Sequence, residues 1–205
     1  MLFDTLALIS LLIVITLLGR LVNIFPSLMA CIVRGKENVN LEMSVKLSRD
    51  RNLLASAMII PFCLASYRFG LCSPAFMDSM TENVGLCVTL GVFIAYIILR
   101  ILARIFLKPH KSPATYDTAA KAAYTFFIIL TLTLLAVGGT LSFLNIGNET
   151  IRDAMIWISG IIYAIFIFRK IQIFASSYNY IIVFLYLCAL EIIPTGVLIA
   201  SAIIL

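Results

Sequence analysis

The segment 178–204 constrains this chain more than any other, because Glu191 is its only charged side chain. A helix rises 1.5 Å per residue, so about 20 apolar residues cross a bilayer core about 30 Å thick. The whole chain is 62% hydrophobic and only 12% charged. Soluble domains are about half apolar and about a quarter charged. The composition therefore predicts an integral membrane protein whose solvent is the lipid bilayer.

Six segments are long and apolar enough to span a bilayer. Each predicts a helix, because backbone groups in lipid must be hydrogen bonded within their own segment. A membrane β-barrel is not favoured, since no segment alternates between apolar and polar side chains. The sequence therefore predicts an all-α polytopic bundle forming one domain over 1–205, with spans at 3–24, 53–70, 84–107, 122–145, 151–169 and 178–204.

The basic residues predict how these spans are oriented. Thirteen of the fifteen Lys and Arg side chains fall on one side if the six spans alternate in direction. That side holds the basic segment 25–52, the connection 108–121, and Arg169 and Lys170 after the fifth span. Because basic loops stay in the cytoplasm, we expect both termini on the external side. The same loops account for the net charge of +5, so nucleic acid is not an expected partner.

The segment 25–52 is the longest connection between predicted spans. Val39, Met43 and Leu47 recur at helical spacing, which favours an amphipathic helix on the cytoplasmic surface. A solvated loop is an equal alternative, since the segment also contains Pro26 and a long polar stretch. The sequence leaves both interpretations open.

Glu191 lies near the predicted bilayer midplane, where a carboxylate costs roughly 2.5–3.5 kcal/mol on insertion scales. Pro194 cannot donate a backbone hydrogen bond and crowds the carbonyl of Leu190. A kink with a loosened backbone is therefore expected beside the carboxylate. Thr195, one turn further on, shares a face with Glu191 and is expected to hydrogen bond at the same level.

A buried carboxylate needs a partner, and two arginines lie at depths from which a long side chain can reach Glu191. Arg100 is about 12 Å inside the third span and Arg68 is about 23 Å inside the second. Each has a competing explanation, because a long basic side chain can instead extend to the membrane surface. The sequence therefore offers Arg100 and Arg68 as alternative partners.

Motifs for catalysis or for metal binding are not evident. The only histidine, His110, has no acidic or cysteine ligands nearby in the sequence. The five cysteines are an odd number without a C-x-x-C pair, which argues against a disulfide framework and a zinc site. Walker, dinucleotide, metalloprotease and serine-hydrolase motifs are not found. We therefore expect a non-enzymatic protein without a cofactor.

The last span resembles a family of small bacterial integral membrane proteins of unassigned function. Those proteins carry an L-Y-L-C-x-L-E-I-x-P signature, and the run from Leu185 to Pro194 matches it. The likeness is specific over these ten residues, looser back to the second span, and leaves the first fifty poorly covered. It implies an inner-membrane location and brings no activity, cofactor or catalytic residue.

Two functions follow as hypotheses. The first is an accessory or structural subunit of a cell-envelope membrane complex, whose partners are other integral membrane proteins. It rests on short external loops and on small-residue pairs that let membrane helices approach closely, namely Gly91–Ala95, Gly138–Ser142 and Gly160–Ala164. The alternative is a small proton-coupled transporter or channel that uses Glu191.

Overall fold

The structure is a computed structural model that describes residues 2–71, 80–106, 113–176 and 178–204. Within these ranges all regular secondary structure is helical, which confirms the predicted all-α class for the described residues. A π-helical turn, Cys188–Ile192, joins the last two helices. The helices are α1 (Leu2–Val33), α2 (Gly35–Met43), α3 (Val45–Ala57), α4 (Ile59–Arg68), α5 (Glu82–Phe106), α6 (Pro113–Phe143), α7 (Asn148–Ala175), α8 (Tyr180–Leu187) and α9 (Ile193–Ile204).

Five of the described helical segments are long and apolar enough to cross a membrane. They correspond to five of the six predicted spans. Their outward side chains are large and apolar, as a lipid solvent permits; Leu11, Ile98 and Phe184, for example, are all about half exposed or more. The five segments are Leu2–Val33, Glu82–Phe106, Thr115–Phe143, Asn148–Ala175 and Tyr180–Ala200.

The remaining predicted span, 53–70, is not one helix. It is divided between the end of α3 and the ten-residue α4, with the break at Met58. Pro61 explains the break, because it has no N–H with which to bond the carbonyl of Ala57. The two short helices together still run beside α6. Glu42, just before α3, pairs with Lys121, whereas Phe69, just after α4, approaches Gly138. Between these two points α6 rises by about 25 Å.

The segment 25–52 is mostly helical, with one side buried and the other exposed, and so is not a solvated loop. Its first part continues α1 through Pro26 to Val33, and the rest forms α2 and the start of α3. Leu28, Cys31 and Leu41 are buried and belong to one apolar cluster with residues of α3 and α6. One polar pair of the segment, Arg51 with Glu42, is drawn into this packing, whereas Arg34, Lys36 and Arg49 stay exposed.

Two contacts fix the end of α1 against α7. The guanidinium of Arg169 donates from Nε to the carbonyl of Ile32 at 2.9 Å and from an Nη to that of Val33 at 2.8 Å. A cation there is favourable, because the last carbonyls of a helix are unpaired and carry partial negative charge. Gly35 follows at a close approach, where a Cβ atom would lie 2.9 Å from the side-chain oxygen of Gln172.

The helix α6 lies at the centre of the bundle and packs against α1, α2, α3, α4 and α7. Small and β-branched side chains, such as Ala119, Ala122 and Thr125, are fully buried along it and allow this crowding. A tight turn then sends the chain into α7. Asn145 adopts a left-handed conformation (φ 54°), and Ile146 donates its N–H to the carbonyl of Leu141. This arrangement is a common helix C-terminal motif and makes α6 and α7 antiparallel neighbours.

Candidate functional site: a buried ion triad

The backbone at Glu191 forms the π-helical turn that joins α8 to α9. Ile193 donates its N–H to the carbonyl of Cys188, five residues back instead of four. Pro194 follows directly and is buried. Because its ring would clash with the carbonyl of Leu190 in a regular helix, a widened turn is a natural local solution. The loosened backbone expected from the sequence is therefore this π-helical turn.

Two cations bind the Glu191 carboxylate. One Nη of Arg100, from α5, lies 2.5 Å from each of the two carboxylate oxygens. The ammonium of Lys170, from α7, donates to Oε1. Glu191 and Lys170 are each only 1% exposed. This Arg100–Glu191–Lys170 triad joins three separate parts of the chain at one point.

Lys170 is a second partner of Glu191, and the sequence did not predict it. The sequence predicts a basic turn after a span ending at residue 169, but α7 continues to Ala175 and places Lys170 inside the bundle. A signal was present in the sequence: Phe166, Lys170, Ile173 and Phe174 recur at helical spacing, and all four are buried. A lysine within an apolar helical stripe indicates a buried cation and not a loop charge.

Of the two arginines proposed as partners, Arg100 makes the contact. Arg68 ends α4 with an exposed side chain. Its neighbour Tyr67 packs against Gly85 at the start of α5, whereas Arg100 lies near the end of that helix. The two arginines are therefore near opposite ends of the bundle, which separates Arg68 from Glu191.

Aromatic rings enclose the triad. The Lys170 ammonium lies 5.5 Å from the ring centre of Phe166 and 5.9 Å from that of Phe174, and the Arg100 guanidinium lies 5.8 Å from Phe166. Such contacts are cation–π interactions, which strengthen where water is excluded. Phe174 also stacks with Tyr186 of α8. The carboxylate therefore meets its cations inside an aromatic shell.

The second polar layer of the site involves Thr195, as its position relative to Glu191 suggested. The hydroxyls of Thr195 and Tyr96 lie 3.2 Å apart, so that α9 is hydrogen bonded to α5 one turn from the triad. Tyr163 Oη is buried close to Thr195 and forms no hydrogen bond of normal geometry within the described part of the chain.

The triad lies towards the end of the bundle that contains the start of α6. Leu190 belongs to an apolar cluster with Tyr116, Ala119 and Phe174. A further ion pair lies beside it, in which Arg104 of α5 donates to Asp117 of α6 at 2.9 Å. Glu191 is therefore nearer to this end than the midplane position estimated from 178–204 alone.

A second ion cluster lies near the same end, on the α2–α3 side. Glu42 accepts from Lys121 with one oxygen and from Arg51 with the other, the latter at 2.8 Å. Arg51 is almost fully buried and also donates to Ser48 and Asn52. Burial raises the pKa of the Glu42 carboxyl, but the hydrogen bonds and charges of Lys121 and Arg51 outweigh burial. The pKa therefore lies below the ordinary 4.5.

Comparisons with known proteins do not extend this description. No family model, no curated protein and no solved structure matches the chain. Within the residues that the structure describes, no group of three or more His, Cys, Asp or Glu side chains is arranged to hold a metal ion. His110 lies outside the described residues. The class that the fold and site define is an apolar helical bundle with membrane-length helices and a buried ion triad.

Proposed function

We propose that this chain is a multi-pass membrane protein that serves as a non-enzymatic subunit of a membrane complex. The observation that carries the proposal is that the Glu191 carboxylate is buried and paired with cations. Both of its oxygens are bound by cations from two other helices, and it is 1% exposed. An intramembrane carboxylate enclosed in this way is suited to holding helices together, because releasing it would leave uncompensated buried charges.

The membrane topology is part of this proposal. We infer six traverses, with the broken helix α3–α4 as the sixth, in a bacterial inner membrane with both termini outside. The parallel course of α3–α4 and α6 supports the sixth traverse. The distribution of basic residues supports the orientation, and the bacterial source rests on the resemblance of Leu185–Pro194 to a bacterial family.

Reporter fusions test the topology. Alkaline phosphatase, active only outside the cytoplasm, and green fluorescent protein, fluorescent only inside, are fused in turn to each terminus. Six traverses with both termini outside predict phosphatase activity and no fluorescence at both ends. Five traverses would place the termini on opposite sides and would refute the sixth traverse. A fluorescent fusion at both ends would refute the orientation.

At least two helices have a surface on which a partner subunit could pack. A Cβ added at Gly91 of α5 or at Gly160 of α7 would meet no atom within 4 Å. Ala95 and Ala164 lie four residues further along, so each helix has a small-residue face that another helix can approach closely. Gly138, by contrast, is already used within the chain, because a Cβ there would lie 2.3 Å from Met155.

Co-purification after gentle extraction tests the subunit role. We expect a defined partner to remain with the wild-type chain and to be lost from Gly91→Leu or Gly160→Leu, with unfolding temperatures unchanged. Gly139→Leu is the matched control, since Gly139 also has open space around it but Phe143 four residues on. A wild-type chain that is always recovered as a lone monomer would count against the subunit proposal.

A second function is favoured by the π-helical turn, since such turns are frequent at functional sites. In that case Glu191 would carry protons, and the triad would open during transport. Proteoliposomes with an imposed membrane potential test this directly. A proton flux that Glu191→Gln abolishes while the protein stays folded would favour transport. An absence of flux in the wild type, together with destabilisation of that variant, favours the structural role.

A further inference from the structure

The ion groups around Glu191 are not balanced. Arg100 and Lys170 bind Glu191, and a third cation, Arg104, lies close by. Tyr116, which donates to the carbonyl of Arg104, packs in one cluster with Leu190. Within the described residues the carboxylate partners of these three cations are Glu191 and Asp117. One positive charge is therefore left over beside an apolar bundle interior. A surplus charge in such a place is costly unless a counter-ion or water reaches it.

The three cations differ in exposure. Lys170 is 1% exposed, whereas the side chains of Arg100 and Arg104 are 26% and 28% exposed. The two arginines are four residues apart, so they lie on the same face of α5. Ile101 and Ile105, next to them along the helix, are 47% and 64% exposed. This part of α5 is therefore a partly exposed apolar flank that presents two guanidinium groups.

The position of this flank indicates what could bind there. Arg104 lies two residues before the last residue of α5, Phe106. In a membrane-spanning helix this is the level of the lipid headgroups, and Arg100 lies about 6 Å deeper. A guanidinium has five N–H donors, and its planar shape matches phosphate oxygens. One N–H group of Arg104 donates to Asp117.

We propose that Arg100 and Arg104 bind the phosphate of an anionic phospholipid headgroup at this flank of α5. The phosphate supplies the missing negative charge only where the headgroup carries no cation to cancel it, and the acyl chains lie along the exposed isoleucines of α5. Basic sites between helices at the cytoplasmic side are suited to such headgroups. The inference goes beyond the subunit function and requires only the membrane location proposed above.

Native mass spectrometry of the full chain in mild detergent tests the proposal. The probes are phosphatidylglycerol and phosphatidylcholine with the same acyl chains, each titrated separately. We expect the wild type to bind phosphatidylglycerol about tenfold more tightly, as expected for a charge-selective site. Arg104→Gln should reduce this preference to about twofold or less. Equal binding of the two lipids by the wild type would overturn the proposal.

Two further variants separate lipid binding from loss of the ion pair. Asp117→Asn breaks the same pair as Arg104→Gln but increases the surplus positive charge, so phosphatidylglycerol should bind more tightly. A parallel loss in both variants would overturn the proposal. Arg152→Gln removes an exposed charge near the start of α7, close to the opposite end, and should leave the lipid preference unchanged. Inorganic phosphate should not displace the lipid at millimolar concentration; if it binds and phosphatidylglycerol does not, the site takes a free anion and the lipid assignment is wrong.

Discussion

Removal of the triad's single carboxylate and removal of one of its two cations should have very different effects on stability. Glu191→Gln leaves Arg100 and Lys170 beside each other without a counter-ion. Arg100 is partly exposed and can be solvated, but Lys170 is fully buried against Phe166 and Phe174. Lys170→Met instead leaves a neutral Arg100–Glu191 pair and replaces the buried ammonium with an apolar side chain of similar length.

The expected magnitudes follow from this geometry. Two unit charges about 4 Å apart attract by about 4 kcal/mol at the effective dielectric of a protein site, and Glu191 makes two such contacts. Part of this attraction is offset by the cost of burying the charges. Breaking a buried pair by removing one partner typically costs about 3–5 kcal/mol. We therefore expect that cost for Glu191→Gln and a change within about 1 kcal/mol for Lys170→Met.

Unfolding in mild detergent, followed by circular dichroism, measures both variants. For a chain of this length, about 3–5 kcal/mol corresponds to a fall of roughly 6–20 °C in the unfolding temperature. The double variant Glu191→Gln/Lys170→Met should recover at least about 2 kcal/mol of the loss, because the stranded buried cation is gone. If both single variants are equally costly, or if the double variant shows no recovery, the triad does not stabilise the bundle by charge pairing.

Three further perturbations test other parts of the structure. Because the pKa of Glu42 is lowered, its contribution to stability is present above about pH 4.5 and is lost as the pH falls through the folded-state pKa. In Glu42→Gln, stability should therefore fall less steeply as the pH is lowered through this range. An unchanged fall in stability would contradict the role of the ion cluster. Gly138→Ala should destabilise by about 1–3 kcal/mol through overpacking, whereas Gly139→Ala, with open space, should be neutral or stabilising by up to about 1 kcal/mol; thermal unfolding of the two variants side by side distinguishes these outcomes. Arg169→Ala should cost about 1–2 kcal/mol, because it leaves the carbonyls at the end of α1 unpaired. Amide hydrogen exchange at the end of α1 should then be faster than in the wild type. Equal exchange in the two proteins would show that the contacts of Arg169 are dispensable.

The sequence predicted the apolar helices well, because membrane-length runs of apolar residues have few alternative structures. It also identified Glu191 as a carboxylate that needs a partner and Pro194 as the cause of a backbone distortion. These inferences depend on local chemistry, which a single chain segment contains. The form of the distortion, a π-helical turn in place of a simple kink, depends on how α8 and α9 pack against α5 and α7.

What the sequence missed has a common cause. The basic run Arg169–Lys170 predicts a turn, and the long polar stretch of 25–52 predicts a segment at the surface. In the structure Lys170 faces Glu191, and Arg51 faces Glu42. Each segment taken alone shows an unpaired charged residue, which predicts exposure to solvent. The opposite charge that allows burial lies on a distant segment. Only the arrangement of the helices shows which of these charges are buried.

The π-helical turn also changes which face of the last span points to lipid before and after it. A π-helical turn contains one residue more than an α-helical turn, so the face of α9 that points to lipid is rotated by about 100° relative to a continuous helix. Positions that tolerate substitution along 180–200 should therefore follow a period of about 3.6 residues on each side of Cys188–Ile192, with a phase jump of one residue between them. A one-residue deletion within that turn would place Pro194 against a regular α-helical turn, where its ring clashes with a carbonyl, and would turn Thr195 away from Tyr96.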